Sequence, residues 1–246
     1  MGRKRADLVL VERGLFESRA KARAAIEAGR VKAGGETVRR PSDLIETDGE
    51  IAAEPAFPWV GRATLKLVHA LDLWPVAVAG RRVLDVGAST GGFTEVCLDR
   101  GAAHVVAVDV GRGQLHPRLL GDPRVTSLEA QDARELTPEH IGAAPDVVVC
   151  DASFISLAKV LPRPLELARP GADLVALVKP QFEVGREGVA KGGVVKDAAL
   201  RERALREVCA FLEGTGWNVR ASAESPIAGG DGNLEYLVWA TKKPPA

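Results

Sequence analysis

The segment Asp85-Val-Gly-Ala-Ser-Thr-Gly-Gly-Phe-Thr94 has the residue types of a ligand-binding turn. It follows an apolar run and opens a helical pattern. Gly87 lets the chain turn where a buried strand ends, and doubly wound sheets bind ligands outside the carboxyl ends of their strands. Gly91 and Gly92 would let the backbone approach a ligand without a Cβ clash. Asp109 closes the next apolar run, 24 residues after Asp85, where an acid can accept hydrogen bonds from both ribose hydroxyls of an adenosine. The glycines are spaced G-x-x-x-G-G, not the G-x-G-x-x-G that bares helix N–H groups to a pyrophosphate. Asp85 would repel a phosphate and suits a ligand with cationic groups, namely the amino group and sulfonium of S-adenosylmethionine. The candidate cofactor contacts are Asp85, Gly87, Ser89, Thr90, Gly91, Gly92, Phe93 and Asp109. Asp132 joins them as a partner for the adenine amino group; alone it could equally cap a helix.

These residues need a rigid frame. Short, nearly continuous apolar runs lie at 82–87, 104–110, 124–130, 146–153 and 172–180, separated by helical stretches, clearest at 90–99, 155–168 and 196–213. Runs buried on both faces and separated by helices imply a largely parallel sheet in a three-layer α/β domain. Two further strand-like runs, near 219–224 and 235–241, have no helix between them and should pair antiparallel.

The first 40 residues differ from the rest. They carry eleven Lys and Arg against five Asp and Glu, a net +6 in a chain of zero formal charge, so the remainder carries −6. This asymmetry points to an anion-binding module or, more blandly, a solvated basic helix face. Helical patterns at 6–13 and 19–28, with Ser18 as N-cap and Gly29 at the stop, precede strand-like pieces at 31–33, 36–38 and 50–53. Gly34-Gly35 reads as a tight hairpin turn. Residues 54–61 carry two prolines and mark a linker. The expected division is a domain over 1–54, a linker over 55–62 and a larger domain over 63–246, whose first helix spans 62–73.

Composition excludes several classes. Cys97, Cys150 and Cys209 form no CxxC pair, so neither a zinc site nor a disulfide framework is suggested and no metal is expected. No apolar run approaches the length of a membrane span, and Asp7 and Glu12 interrupt the N-terminal apolar stretch, so a cytoplasmic protein without membrane partners is expected.

Several longer segments carry a family resemblance over essentially the whole chain. They are RADLVLVERGLFESRAKARAAIEAGRVKAGGETVRRPSDLI, GRATLKL (61–67), DVGASTGGFT (85–94), VVCDASFISL (148–157), LVKPQFEVGREGVAKGGVVKD (177–197) and SPIAGGDGNLEYL (225–237). The chain resembles the TlyA family of ribosomal RNA 2'-O-methyltransferases, some of which are labelled haemolysins. The first segment is similar to the alpha-L RNA-binding motif of a small-subunit ribosomal protein. The remainder looks like the FtsJ-type methyltransferases. The resemblance implies an α/β fold with a Rossmann-like methyltransferase sheet, mostly parallel with the last strand antiparallel, beside a small N-terminal α+β RNA-binding domain. It implies S-adenosylmethionine as cofactor, ribosomal RNA or ribosomal subunits as partners, and a cytidine ribose as acceptor. It also carries over a catalytic Lys-Asp-Lys-Glu tetrad as Lys66, Asp151, Lys179 and Glu235.

That tetrad suits the reaction. A ribose hydroxyl attacks a methyl sulfonium only as its proton leaves, so acceptor and donor must be aligned and one proton accepted. Lys179 and Asp151 end buried runs and should face the cofactor crevice, Asp151 contacting cofactor as well. A lysine is a base only when neutral; burial and a second cation such as Lys66 favour that form, while Asp151 and Glu235 oppose it. Lys179 is expected to take the proton, Lys66 to tune it, and the two acids to orient the amines. Arg5, Arg19, Lys21, Arg23, Arg30 and Lys32 are the candidate RNA contacts of the N-terminal module, with Arg39 extending the track and Arg62 beyond it. The 185–193 loop, with four glycines, adds Arg186 and Lys191, either on phosphate or merely solvated. Asn233 either positions Glu235 or turns the chain. Three other readings compete with this one: a pseudouridine synthase, a membrane-lytic haemolysin, and a non-catalytic RNA-binding or ribosome-assembly factor.

Overall fold

The computed structural model describes residues 2–56 and 59–244, so Phe57 and Pro58 of the expected linker lie outside the described residues. The chain divides into two compact units, Met1–Pro58 and Trp59–Ala246.

The first unit is built from β1 (Arg3–Arg5), α1 (Ala6–Glu12), α2 (Arg19–Glu27), β2 (Val31–Ala33), β3 (Glu36–Thr37), β4 (Leu44–Glu46) and β5 (Ile51–Ala53). Ser18 caps α2 by accepting from the Lys21 N–H. β2 and β3 pair antiparallel across Gly34-Gly35, both at positive φ as the tight turn requires. β5 pairs with the other edge of β2. Leu10, Ala22, Ala25, Ile26 and Val31 close a small core of their own. The short pairing of β1 with β4 was not anticipated, because Arg-Lys-Arg shows none of the alternation that marks a half-buried strand.

The second unit begins with α3 (Thr64–Leu73), β6 (Arg82–Val86), α4 (Gly92–Asp99), β7 (His104–Asp109), α5 (Pro117–Leu120) and β8 (Val125–Glu129). It continues through α6 (Pro138–Ile141), β9 (Val147–Cys150), α7 (Leu157–Val160), α8 (Pro162–Leu167), β10 (Asp173–Val178) and α9 (Pro180–Glu183). It ends with α10 (Ala198–Gly214), β11 (Trp217–Glu224) and β12 (Tyr236–Lys242). The seven strands are ordered β11-β12-β10-β9-β6-β7-β8. β12 runs antiparallel to both neighbours, and the pairings from β10 to β8 are parallel. This is the expected mostly parallel sheet with its last strand reversed. One core lies on each face of it, one including Trp217 and Leu212 and the other Leu67, Phe93 and Val96. The expected helix over 155–168 is two helices. Pro162 lacks the N–H that would continue α7 and starts α8 instead.

Candidate active site

The strands that place the site end at one edge of the sheet. β6 ends at Val86, β7 at Asp109, β9 at Cys150 and β10 at Val178. The residues following them meet around a cavity of about 570 Å³ whose wall includes Gly87, Ser89, Asp109, Asp132 and Asp151. A smaller cavity of about 160 Å³ continues along Thr90, Gly92, Phe93 and Lys179 and shares Gly87, Ser89, Asp151 and Ser153 with the larger one.

The glycine turn serves protein packing as much as any ligand. A Cβ on Gly87 would stand 2.8 Å from Ala152 Cα, and φ there is +80°. Gly91 at φ +93° faces Leu115 and Leu119, and Gly92 faces the start of α3 at Thr64. Gly91 lines neither cavity, so its missing side chain makes room for leucines rather than for a ligand. Ser89 holds a left-handed backbone, φ +47°, with its N–H donating to Asp109 Oδ2 at 2.8 Å. Asp109 Oδ1 accepts from Gly111 N at 2.7 Å. Each carboxylate oxygen keeps a lone pair for a further donor. Asp132 lines the larger cavity but also caps a short helical turn and pairs with Arg134.

Asp85 differs from the expectation of direct ligand contact. It is fully buried and lines neither cavity. Thr94 Oγ1 donates to its Oδ2 at 2.6 Å, and Oδ1 has no partner. Its carboxyl is held against Thr94 of α4 in the protein interior rather than in either cavity. Burial raises its pKa to about 7, and the nearby Asp151 charge adds to the rise. The ordinary value is 3.8, so between these limits the folded chain holds a proton that the unfolded chain has lost. Stability therefore falls as pH rises through that window. Asp85→Asn, which can still accept from Thr94, is expected to flatten this fall. Denaturant midpoints of the cofactor-free protein across pH 4–8 check it; parallel curves for the two proteins would refute it.

Two Lys–carboxylate pairs lie near this edge. Lys66, on α3, donates to Glu235 Oε2 at 2.5 Å, with 8% and 3% of the two side chains exposed. Lys179 Nζ lies 2.7 Å from Asp151 Oδ1, outside hydrogen-bond alignment, and donates to the Asp151 carbonyl at 3.1 Å and to Ser153 Oγ at 2.7 Å. The β10–β12 ladder ends with Val178 opposite Tyr236. Lys179 and Glu235 are the next residue on each strand, which draws the two pairs together. The Glu235 carboxylate lies against Gly229, where a Cβ would meet its Oε1. Asn233, fully buried, accepts from Val195 N and donates to the Gly193 carbonyl. It ties the end of the 185–193 loop to the segment leading into Glu235. Arg186 and Lys191 of that loop are exposed. Arg62 donates to the Ala228 carbonyl at 3.3 Å.

In the first unit, Arg5 and Arg19 both bind Asp7, whose side chain is fully buried. The Arg5 guanidinium, followed by that of Arg19, holds this carboxyl at about 2. Lys21 pairs with Glu17, Arg23 lies 4.0 Å from Glu27, and Arg30 lies 3.4 Å from Glu54. Exposed pairs of this kind contribute little, so their cations can exchange partners. Lys32 is exposed. Asp7 went unrecognised in the sequence because an acid in a basic segment reads as one more solvated charge.

Sequence reasoning also missed Ser153, Phe154, Gln114 and Glu129. Ser153, Phe154 and Gln114 line the larger cavity. Glu129 ends β8 and accepts from the N–H groups of Gly113, Gln114 and Leu115 at 2.7–3.0 Å, which fixes the cavity wall. The available signal was position: Ser153 and Glu129 lie at strand ends of the same edge as Asp109 and Asp151.

The residues fit S-adenosylmethionine. The larger cavity has room for a nucleoside, and its Asp109 acceptors face a strand-end turn. Comparison with known proteins agrees. The pattern of the FtsJ-like methyltransferase family matches residues 59–242, and that of the S4 domain matches residues 4–51. The 16S/23S rRNA (cytidine-2'-O)-methyltransferase TlyA of Mycobacterium tuberculosis is 51% identical over 239 residues, covering 96% of this chain and 89% of that protein. A solved structure from Streptococcus thermophilus that carries the hemolysin name has 38% identity and a TM-score of 0.78, covering 99% of this chain and 90% of that one. A magnesium protoporphyrin IX methyltransferase from Synechocystis, solved with SAH bound, has a TM-score of 0.52 at 15% identity, covers 74% of this chain and 82% of that one, and shares the fold alone.

Proposed function

The chain belongs to the TlyA family, an S4 domain joined to an FtsJ-like methyltransferase that uses S-adenosylmethionine, and from that premise we propose that it methylates a ribose 2'-hydroxyl of ribosomal RNA, on a cytidine. The observation that carries this reading is the buried Lys179–Asp151 contact in the cavity wall at the carboxyl edge of the sheet, with the buried Lys66–Glu235 pair reached from the adjoining strand. Neither a dinucleotide site nor a plain RNA-binding module has use for two buried lysines there, because each costs desolvation that only a specific role or partner offsets.

Bound S-adenosylmethionine supplies an electrophilic methyl on a sulfonium. Asp109 would hold the ribose of the cofactor, Asp132 its adenine, and the turn from Gly87 to Phe93 its methionine portion. Lys179 would accept the proton that the RNA 2'-hydroxyl gives up. Asp151 fixes the Lys179 amine, and Glu235 fixes Lys66, whose charge steadies the oxygen as it loses its proton. The S4 domain adds phosphate contacts through Arg5, Arg19, Lys21, Arg23, Arg30 and Lys32, with Arg62, Arg186 and Lys191 contributing from the catalytic unit. Such contacts set affinity and register rather than base identity.

No helix among the described residues is long and apolar enough to cross a membrane. The enzyme reading is tested by mapping ribose methylation on ribosomal RNA from cells with and without the protein, and on purified subunits incubated with protein and labelled S-adenosylmethionine. The expected result is a new 2'-O-methylcytidine that requires both. Unmodified RNA bound tightly by the protein would instead favour an assembly factor.

A further inference from the structure

Ser153 has a position that the four charged residues do not explain. It accepts a hydrogen bond from Lys179 Nζ at 2.7 Å. It is exposed, whereas Lys179 is buried. It lines both cavities, whereas Lys179 lines only the smaller one. No acceptor for its own O–H is present among the described residues. The next residue, Phe154, is held at φ +65° with 91% of its surface exposed. A left-handed backbone at an aromatic residue is strained, and strain of this kind persists where the surroundings fix a functional turn.

A buried lysine that takes one proton in each turnover must also shed it. Lys179 touches three oxygens. The Asp151 carbonyl cannot carry a proton onward. The Asp151 carboxylate is the counter-ion of the amine, and a proton moved there stays inside the site. Only the Ser153 hydroxyl can accept on one side and donate on the other. Resting on the reading of Lys179 as base, we infer that Ser153 is the proton conduit between the Lys179 ammonium and solvent. In this step one Nζ–H bond breaks and its proton forms a bond to Ser153 Oγ. The original Ser153 O–H breaks at the same time, and that proton passes to a water molecule or a buffer base in the open cavity. Lys179 is left as a neutral amine, Ser153 is again a hydroxyl, and one positive charge has moved to solvent. The other charged groups around Lys179 are Asp151 just after β9, Asp85 buried against Thr94, and the Glu235–Lys66 pair contributed by the residue before β12 and by α3. All of them are more enclosed than Ser153. Ser153 acts through Lys179 and is a positioning and relay residue.

The test uses a matched pair in the full chain, Ser153→Thr and Ser153→Val, which are nearly isosteric and differ by the hydroxyl. Hydrogen exchange of the Lys179 ζ-ammonium with water is read by nitrogen-edited NMR, with assignment from the Lys179→Ala spectrum. The expected result is exchange slowed about tenfold or more in Ser153→Val and close to wild type in Ser153→Thr, in line with the size of general acid–base effects. In methyl transfer, Ser153→Val should be slow and should regain rate as imidazole buffer concentration rises, because a small base replaces the missing hydroxyl. Exchange that is unchanged or faster in Ser153→Val, or a rate insensitive to buffer, overturns the conduit. An undiminished rate in Lys179→Ala would instead sink the base assignment, and the exchange measurement would still judge the Ser153 link independently.

Discussion

Lys179→Ala is expected to lower methyl transfer by about 100-fold or more, with cofactor affinity nearly unchanged, since a positioned general base contributes roughly 10²–10⁴-fold. Lys179 lines the smaller cavity and not the larger one assigned to the nucleoside, which is why binding should survive. Alanine alone leaves an ambiguity, because it also strips Asp151 of its counter-ion. Lys179→Arg removes it. A guanidinium keeps the charge and the partner of Asp151 but is never neutral in a protein. It therefore cannot accept the ribose proton, and the arginine variant should be about as slow as alanine. Single-turnover rates at saturating S-adenosylmethionine, with affinity measured separately by calorimetry, decide the matter. An arginine variant near wild-type rate would mean that Lys179 contributes charge rather than basicity.

The second large effect is on stability. Glu235→Ala leaves the Lys66 ammonium, 6% exposed, without its partner. Breaking a buried pair from one side typically costs about 3–5 kcal/mol, because the remaining charge is desolvated and unpaired. It also opens the space beside Gly229 that the carboxylate fills. Replacing both members, as in Lys66→Met with Glu235→Leu, removes the charges together and should recover most of that loss. The double variant should still be a poor catalyst, since Lys66, the cation assigned to steady the ribose oxygen, would be gone. Urea denaturation together with methyl-transfer rates separates the two effects. A double variant as unstable as Glu235→Ala would show that packing at Gly229, not charge, dominates. A double variant of full activity would remove the pair from the mechanism.

These variants also mark how far the sequence could be read. The strands of the larger unit were legible because each is a short apolar run buried on both faces, and the reversal of β12 followed from the lack of a helix before it. The break at Pro162 was legible in principle but was outweighed by the apolar pattern spanning it. β1 was not legible, because three successive charged residues show no alternation, and the Leu44 carbonyl that the Arg3 guanidinium reaches is 41 residues away. In the cofactor turn, glycine spacing indicated a tight strand–helix passage. It did not reveal that Gly91 yields to Leu115 and Leu119, or that Gly87 yields to Ala152, since those neighbours are distant in the chain.

The sequence by itself determined the fold class, the two-part organisation of basic module and α/β unit, and the residue types gathered at the strand ends. These depend on local periodicity, turn chemistry and composition, which act over a few residues at a time. Only the tertiary structure decided which lysine faces which acid, that Asp85 is buried against Thr94, that Asp7 is the anchor of Arg5 and Arg19, and that Lys179 donates to an exposed Ser153. Lys66 and Glu235 are 169 residues apart in the chain. Nothing local at either position encodes the partner. Their meeting follows from strand order and ladder register, which are fixed by burying the whole sheet at once.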